Sequence, residues 1–90
     1  MTSARFTTIV LVLAGLFFLA PGIWGFVAPH SFYDQLAPFP PYNRHLLHDI
    51  GAFQIGIGAA LLLASRWADA RFVVLAGAAA GASVHLLSHL

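Results

Sequence analysis

Apolar residues fill three long stretches of the chain, at 6–27, 46–64 and 72–90, with more polar connections between them. Each stretch has about 20 residues, which as a helix crosses a hydrocarbon core of about 30 Å. Backbone polar groups in lipid must be satisfied within their own segment, so helices are expected. The pattern predicts an all-α fold: an integral membrane bundle of three transmembrane helices, with 1–90 as a single membrane domain.

The two connections between the spans differ in character. Residues 28–44 contain four prolines, which forbid a continuous helix and favour extended and turn backbone. Asn43, at the end of this connection, is expected to cap the second helix. The second connection, 65–71, is short enough to make spans two and three an antiparallel hairpin.

Arginine positions predict the orientation of the spans. Arg5, Arg66 and Arg71 fall on one side of the membrane, whereas Arg44 stands alone on the other. The positive-inside rule therefore places the N-terminus and the 65–71 connection in the cytoplasm, and the proline-rich connection outside. The first run exceeds the about 7–15 apolar residues of a signal peptide, so we interpret it as an uncleaved span. The expected location is the bacterial inner membrane, as a multi-pass protein.

Composition excludes several classes of function. Hydrophobic residues make up 60% of the chain and charged residues 8%, all of them Arg or Asp. Soluble domains carry about 25% charged residues, so a soluble globular enzyme is excluded. A formal net charge of +1 without a basic cluster excludes nucleic acid as a partner. The absence of cysteine removes disulfides and thiolate chemistry.

All five histidines fall toward the predicted outer side, and four polar residues there form two regular pairs. His45 and Asp49 are four residues apart at the start of span two, as are His85 and His89 at the end of span three. Residues at that spacing share a helix face. Asp49 in particular needs a partner, because a carboxylate one turn inside a span is costly.

Small residues predict how spans two and three meet. They recur every four positions on each span and let helix backbones approach closely in lipid. Gln54, near the middle of span two, is expected to form a hydrogen bond across helices. The contact would bring both polar pairs together at the outer end of the two spans. The predicted packing residues are Ala52, Gly56, Ala60, Gly77 and Gly81.

Three interpretations of the polar cluster remain open. It is an interfacial hydrogen-bonding network, or a metal site in which His45, Asp49, His85 and His89 bind Zn, Fe or Mn. The third interpretation is a quinone, lipid or haem pocket in which histidines donate hydrogen bonds or serve as axial ligands. In the metal interpretation the cofactor is a divalent metal. No nucleophile–base set or dinucleotide motif is present.

Two segments carry a family resemblance. The string from Tyr42 to Gly51 reads Tyr-Asn-Arg-His-Leu-Leu-His-Asp-Ile-Gly, and the chain closes on a His-x-x-x-His pattern. Together with the aromatic, proline-rich outer connection they resemble small actinobacterial membrane proteins, loosely DoxX-like. The resemblance implies a helical membrane fold, usually with a fourth span that these 90 residues lack. It implies no reaction. The positions that carry the pattern are Tyr42, Asn43, His45, Asp49, Gly51, His85 and His89.

The function expected from these features is that of a non-enzymatic accessory or structural membrane subunit. The alternative is a metal-, quinone- or haem-binding membrane enzyme or binder that uses the two polar pairs. Three helices with small-residue rows leave a groove in lipid. We therefore expect a homo-oligomer, or a subunit of a larger membrane complex, embedded in the lipid bilayer.

Overall fold

The computed structural model describes residues 2–90, so Met1 lies outside it. Three of its helices are long and apolar enough to cross a membrane, which confirms the predicted all-α fold with three candidate spans. Residues 2–90 contain no strand. The helices in chain order are α1 (Ser3–Val27), α2 (Pro29–Gln35), α3 (Arg44–Ala64) and α4 (Arg71–Ser88), with a 3-10 turn at Ala68–Ala70 before α4.

The start of α3 follows the sequence prediction. The side-chain oxygen of Asn43 accepts a hydrogen bond from the backbone N–H of Leu46 at 3.0 Å. This bond satisfies one of the N–H groups that a helix leaves unpaired in its first turn. The predicted capping role of Asn43 is confirmed.

The short helix α2 was not predicted, because the proline-rich connection was expected to be extended and turn backbone throughout. Pro29 is the first helical residue, where a fixed φ suits the helix and a missing N–H costs nothing. Phe32 of α2 is buried and packs edge-on against Trp24 of α1, with ring centroids 5.5 Å apart. The indole N–H of Trp24 also donates to the Ser31 hydroxyl at 3.2 Å. These contacts fold the beginning of the connection back onto α1.

The tightest helix contact lies between α1 and α3, not between α3 and α4. A methyl group added at Gly51 would lie 2.7 Å from the carbonyl oxygen of Gly22. One added at Gly58 would lie 2.8 Å from the carbonyl oxygen of Gly15. Each helix therefore presents two glycines, seven residues apart, to the backbone of the other. Glycine is required at these positions because the two main chains touch.

The predicted α3–α4 contact through small residues needs correction. A methyl group added at Gly56, Gly77 or Gly81 would meet nothing within 4 Å. Ala52 is exposed, and Ala60 lines an open groove between the two helices. The spacing of small residues in the sequence identifies rows along each helix. It does not show which of these rows packs against another helix of the same chain.

Helix α4 packs against the other helices only through a small core near its start. Leu11 of α1 and Leu61 and Ala64 of α3 are almost fully buried. The residues of α4 that pack against this core come from its first two turns: Val74, Leu75 and Ala78. Every residue from 79 to 90 is exposed. Helix α4 therefore meets the bundle at the end that carries Arg66 and Arg71, which we call the arginine end, and is free of it toward the opposite, histidine end.

Candidate functional site

The space between α3 and α4 is a groove of about 460 Å³. Its lining is almost entirely apolar and includes Phe18 of α1 and Leu61 of α3. Gly77 and Gly81 lie along the α4 wall. Two side chains in the lining, Gln54 and His85, carry hydrogen-bonding groups. The groove is thus an apolar surface with two polar groups at different heights.

Gln54 occupies the middle of α3 and has an unpaired amide. None of the side-chain hydrogen bonds formed within residues 2–90 involves it. The bond that was expected across helices is therefore not formed inside this chain. In lipid an amide without a partner is unfavourable, since no water is present to replace it. This amide faces the groove, where an occupant with a hydrogen-bonding group would satisfy it.

His85 and His89 form a close pair at the histidine end of α4. Their Nε2 atoms are 3.0 Å apart and their ring centroids 4.8 Å apart. At that distance one imidazole donates through Nε2–H and the other accepts. Both residues are exposed. The predicted pairing of these two residues on one helix face is confirmed.

His45 and Asp49 form the second predicted pair, on α3. The His45 Nε2 atom lies 3.3 Å from a carboxylate oxygen of Asp49. Both side chains are mainly exposed, at 88% and 55% of their surface. Asp49 therefore has the partner that its position near the start of a span calls for. An exposed contact of this kind contributes little to stability.

The other two histidines contact different neighbours. The ring of His48 stacks on Phe26 with centroids 4.9 Å apart. His30 lies 3.9 Å from the Asp34 carboxylate and packs against the ring of Tyr42. The histidines at this end are thus divided among separate local contacts.

The structure does not bring the two predicted pairs into one metal site. Within the part of the chain that is described, no group of three or more His, Cys, Asp or Glu side chains could hold a metal ion. The convergence of His45, Asp49, His85 and His89 required α4 to lie close against α3 along its whole length. Because α4 packs only through its first turns, its histidine pair stays separate from that of α3. A metal on these residues stays a prediction.

Arg71 is the polar residue that sequence reasoning undervalued. Its guanidinium donates to the carbonyl oxygens of Ala64 and Ser65 at 3.2 and 2.9 Å, and to the Thr8 hydroxyl at 2.9 Å. A fourth bond reaches the carbonyl of Ala4 at 3.4 Å. A cation beside the last carbonyls of α3 is also favoured by the helix dipole. The available signal was an arginine at the end of the short 65–71 connection, and it was used only to predict the orientation of the spans.

The chain was compared with protein-family models, with curated proteins and with solved structures. None of the three comparisons finds a match. The resemblance to small DoxX-like membrane proteins therefore stays a prediction. Function is therefore inferred from the groove, the glycine row of α4 and the His85–His89 pair.

Proposed function

We propose that this chain is a non-enzymatic membrane subunit that assembles with a second copy through the free face of α4. The observation that carries the proposal is the open space at Gly77 and Gly81, together with the exposure of every residue from 79 to 90. Glycines four residues apart in an apolar helix are typical of close transmembrane helix contacts. The groove beside them offers a second helix both an apolar wall and the unpaired Gln54 amide.

Two copies in one membrane with the same orientation present parallel α4 helices. In a twofold arrangement the α4 of each copy would enter the groove of the other, so one contact covers both grooves. Helix backbones that meet at glycine expose carbonyl oxygens, which the Gln54 amide could use as acceptors. The proposal thus accounts for the empty glycine row and for the unpaired amide together.

Replacing Gly81 by Leu tests the assembly. We expect Gly81→Leu to weaken self-association in lipid about tenfold, which is equivalent to about 1.4 kcal/mol, because the larger side chain keeps the second backbone away from the glycine face. Subunit counting by single-molecule photobleaching in liposomes measures this. Ala79→Leu is the matched control, since Ala79 is exposed on α4 and lies outside the groove lining. Equal association of both variants and the wild type would refute this contact.

A second candidate function is binding of a lipophilic molecule with a carbonyl or hydroxyl group, such as a quinone. The volume of the groove, about 460 Å³, is within the range of small-molecule sites, and Gln54 and His85 supply polar groups. This function does not require a second copy. A wild-type chain that is monomeric in liposomes and retains an extractable lipophile would favour it over assembly.

We further propose the inner membrane of a bacterium as the location, with the arginine end in the cytoplasm. Because the chain has no native cysteine, single cysteine substitutions test this orientation directly. Ala68→Cys, at the arginine end, should resist an impermeant thiol reagent in intact cells, whereas Gln35→Cys, in α2, should react. Both positions are exposed. The reverse labelling pattern would invert the proposed orientation.

A further inference from the structure

The histidine pair at the end of α4 has the spacing of a two-point metal chelate. Bonds of about 2.0–2.1 Å from one zinc ion, set at about 90–110°, hold two nitrogens about 2.8–3.4 Å apart. The Nε2 atoms of His85 and His89 are 3.0 Å apart. Both side chains are exposed, so an ion can reach them without a rearrangement of the bundle. Imidazole is a preferred ligand for zinc, nickel and copper ions.

One chain supplies only half of such a site. Zinc is held by four ligands in closed sites, and within residues 2–90 no third His, Cys, Asp or Glu joins this pair. A site with two protein ligands leaves the other positions to water. Additional protein ligands must come from another chain.

The assembly proposed above places a second pair beside the first. Gly77, Gly81, His85 and His89 follow one another at intervals of four residues and so continue one row along α4. Parallel helices that meet at the two glycines carry residues of the same number at the same depth. The histidine pairs of two copies then lie next to each other, one and two turns beyond the glycine contact.

We infer that two copies of this chain bind one divalent cation of the zinc class between their His85 and His89 side chains. The inference rests on the proposed assembly. In each copy the ion takes the place of the N–H···N hydrogen bond, and the donor ring carries its proton on Nδ1 instead of Nε2. Four neutral imidazoles then surround the ion, and no proton is released.

Zinc titration of the intact chain in lipid nanodiscs tests the site. With Zn²⁺ as the only added metal, the wild type should bind one ion per two chains. His89→Ala should weaken binding at least about 10–100-fold, because the loss of even an outer partner of a metal ligand has effects of that size. His45→Ala is the matched control: it removes an exposed histidine of an i, i+4 pair at the same end but outside the α4 row, and should bind as the wild type does.

Subunit counts taken alongside the titration separate the two proposals. A wild type that associates but takes up no zinc would overturn the metal site and leave the assembly intact. A monomeric wild type would overturn both. Gly81→Leu should self-associate more weakly than the wild type and bind zinc more weakly. If it bound one ion per chain with unchanged affinity, the site would belong to a single chain and the shared geometry would be wrong.

Discussion

Gly51→Ala and Gly58→Ala should each destabilise the protein, although alanine is the better helix former. An added methyl would lie 2.7 and 2.8 Å from carbonyl oxygens of α1, and backbone at that distance can yield only if the helices move apart. Overpacking of this kind costs about 1–3 kcal/mol. The free energy of unfolding, measured by titration with a denaturing detergent, should fall by that amount for each variant.

Gly56→Ala supplies the matched control on the same helix. The substitution is chemically identical, but an added methyl there meets nothing within 4 Å. Because alanine is favoured over glycine inside a helix by about 0.8–1.0 kcal/mol, this variant should be neutral or slightly more stable. The opposite sign of the two effects is the decisive result. Equal responses at positions 51, 56 and 58 would mean that α1 and α3 do not meet through these glycines.

Arg71→Met should have the second largest effect on stability. The long apolar stem is retained, but the guanidinium no longer ties the end of α3 to the start of α1. Hydrogen bonds from a charged group contribute about 1.5–3 kcal/mol. We expect a loss of about 2 kcal/mol, which includes compensation by water at the end of the bundle. The same detergent titration measures it.

Arg66→Met is the control for charge. Arg66 lies in the same connection and is exposed, and its side chain forms no hydrogen bond within residues 2–90. Its replacement removes one positive charge but leaves the Arg71 hydrogen bonds that join the end of α3 to the start of α1. Arg71→Lys should fall between the two, because an ammonium keeps the charge but lacks the planar fork of donors. A loss of stability at Arg66 as large as at Arg71 would show that charge alone matters.

The helices themselves could be predicted from the sequence. Runs of about 20 apolar residues determine spans with little regard to context, because lipid tolerates few other backbone structures. Asn43 was recognised as a cap from a local preference. The short helix α2 was missed because its stability comes from Phe32 packing on Trp24, a contact between elements that no local rule supplies.

The contacts between helices were harder to predict from the sequence, because the glycines of the chain recur at two different spacings. Gly77 and Gly81 are four residues apart, whereas Gly51 and Gly58 are seven apart. Among pairs of glycines, only the seven-residue spacing occurs in two spans, because Gly15 and Gly22 repeat it in α1. That repetition was the available signal for the α1–α3 contact. The four-residue row was instead predicted to form the α3–α4 contact, but a methyl group added at either of its glycines would meet nothing within 4 Å.

For the polar residues, too, contacts within one helix could be predicted from the sequence, whereas contacts between helices could not. Spacing of four residues correctly placed His45 beside Asp49 and His85 beside His89. Whether the pairs meet depends on the course of α4, and this is determined by the few side chains that hold its first turns, such as Val74 and Ala78. A small difference in that packing changes the separation at the far end of the helix greatly.

The contact between α1 and α3 also has a consequence for how the bundle comes apart. These two helices meet through four glycines that bring their backbones together, whereas α4 is held by side chains of its first two turns. Proteins open locally where few apolar contacts hold an element, so separating α4 from the bundle should cost less free energy than separating α1 from α3. A partner that packs against α4 can therefore change the tilt of this helix without disturbing the α1–α3 pair.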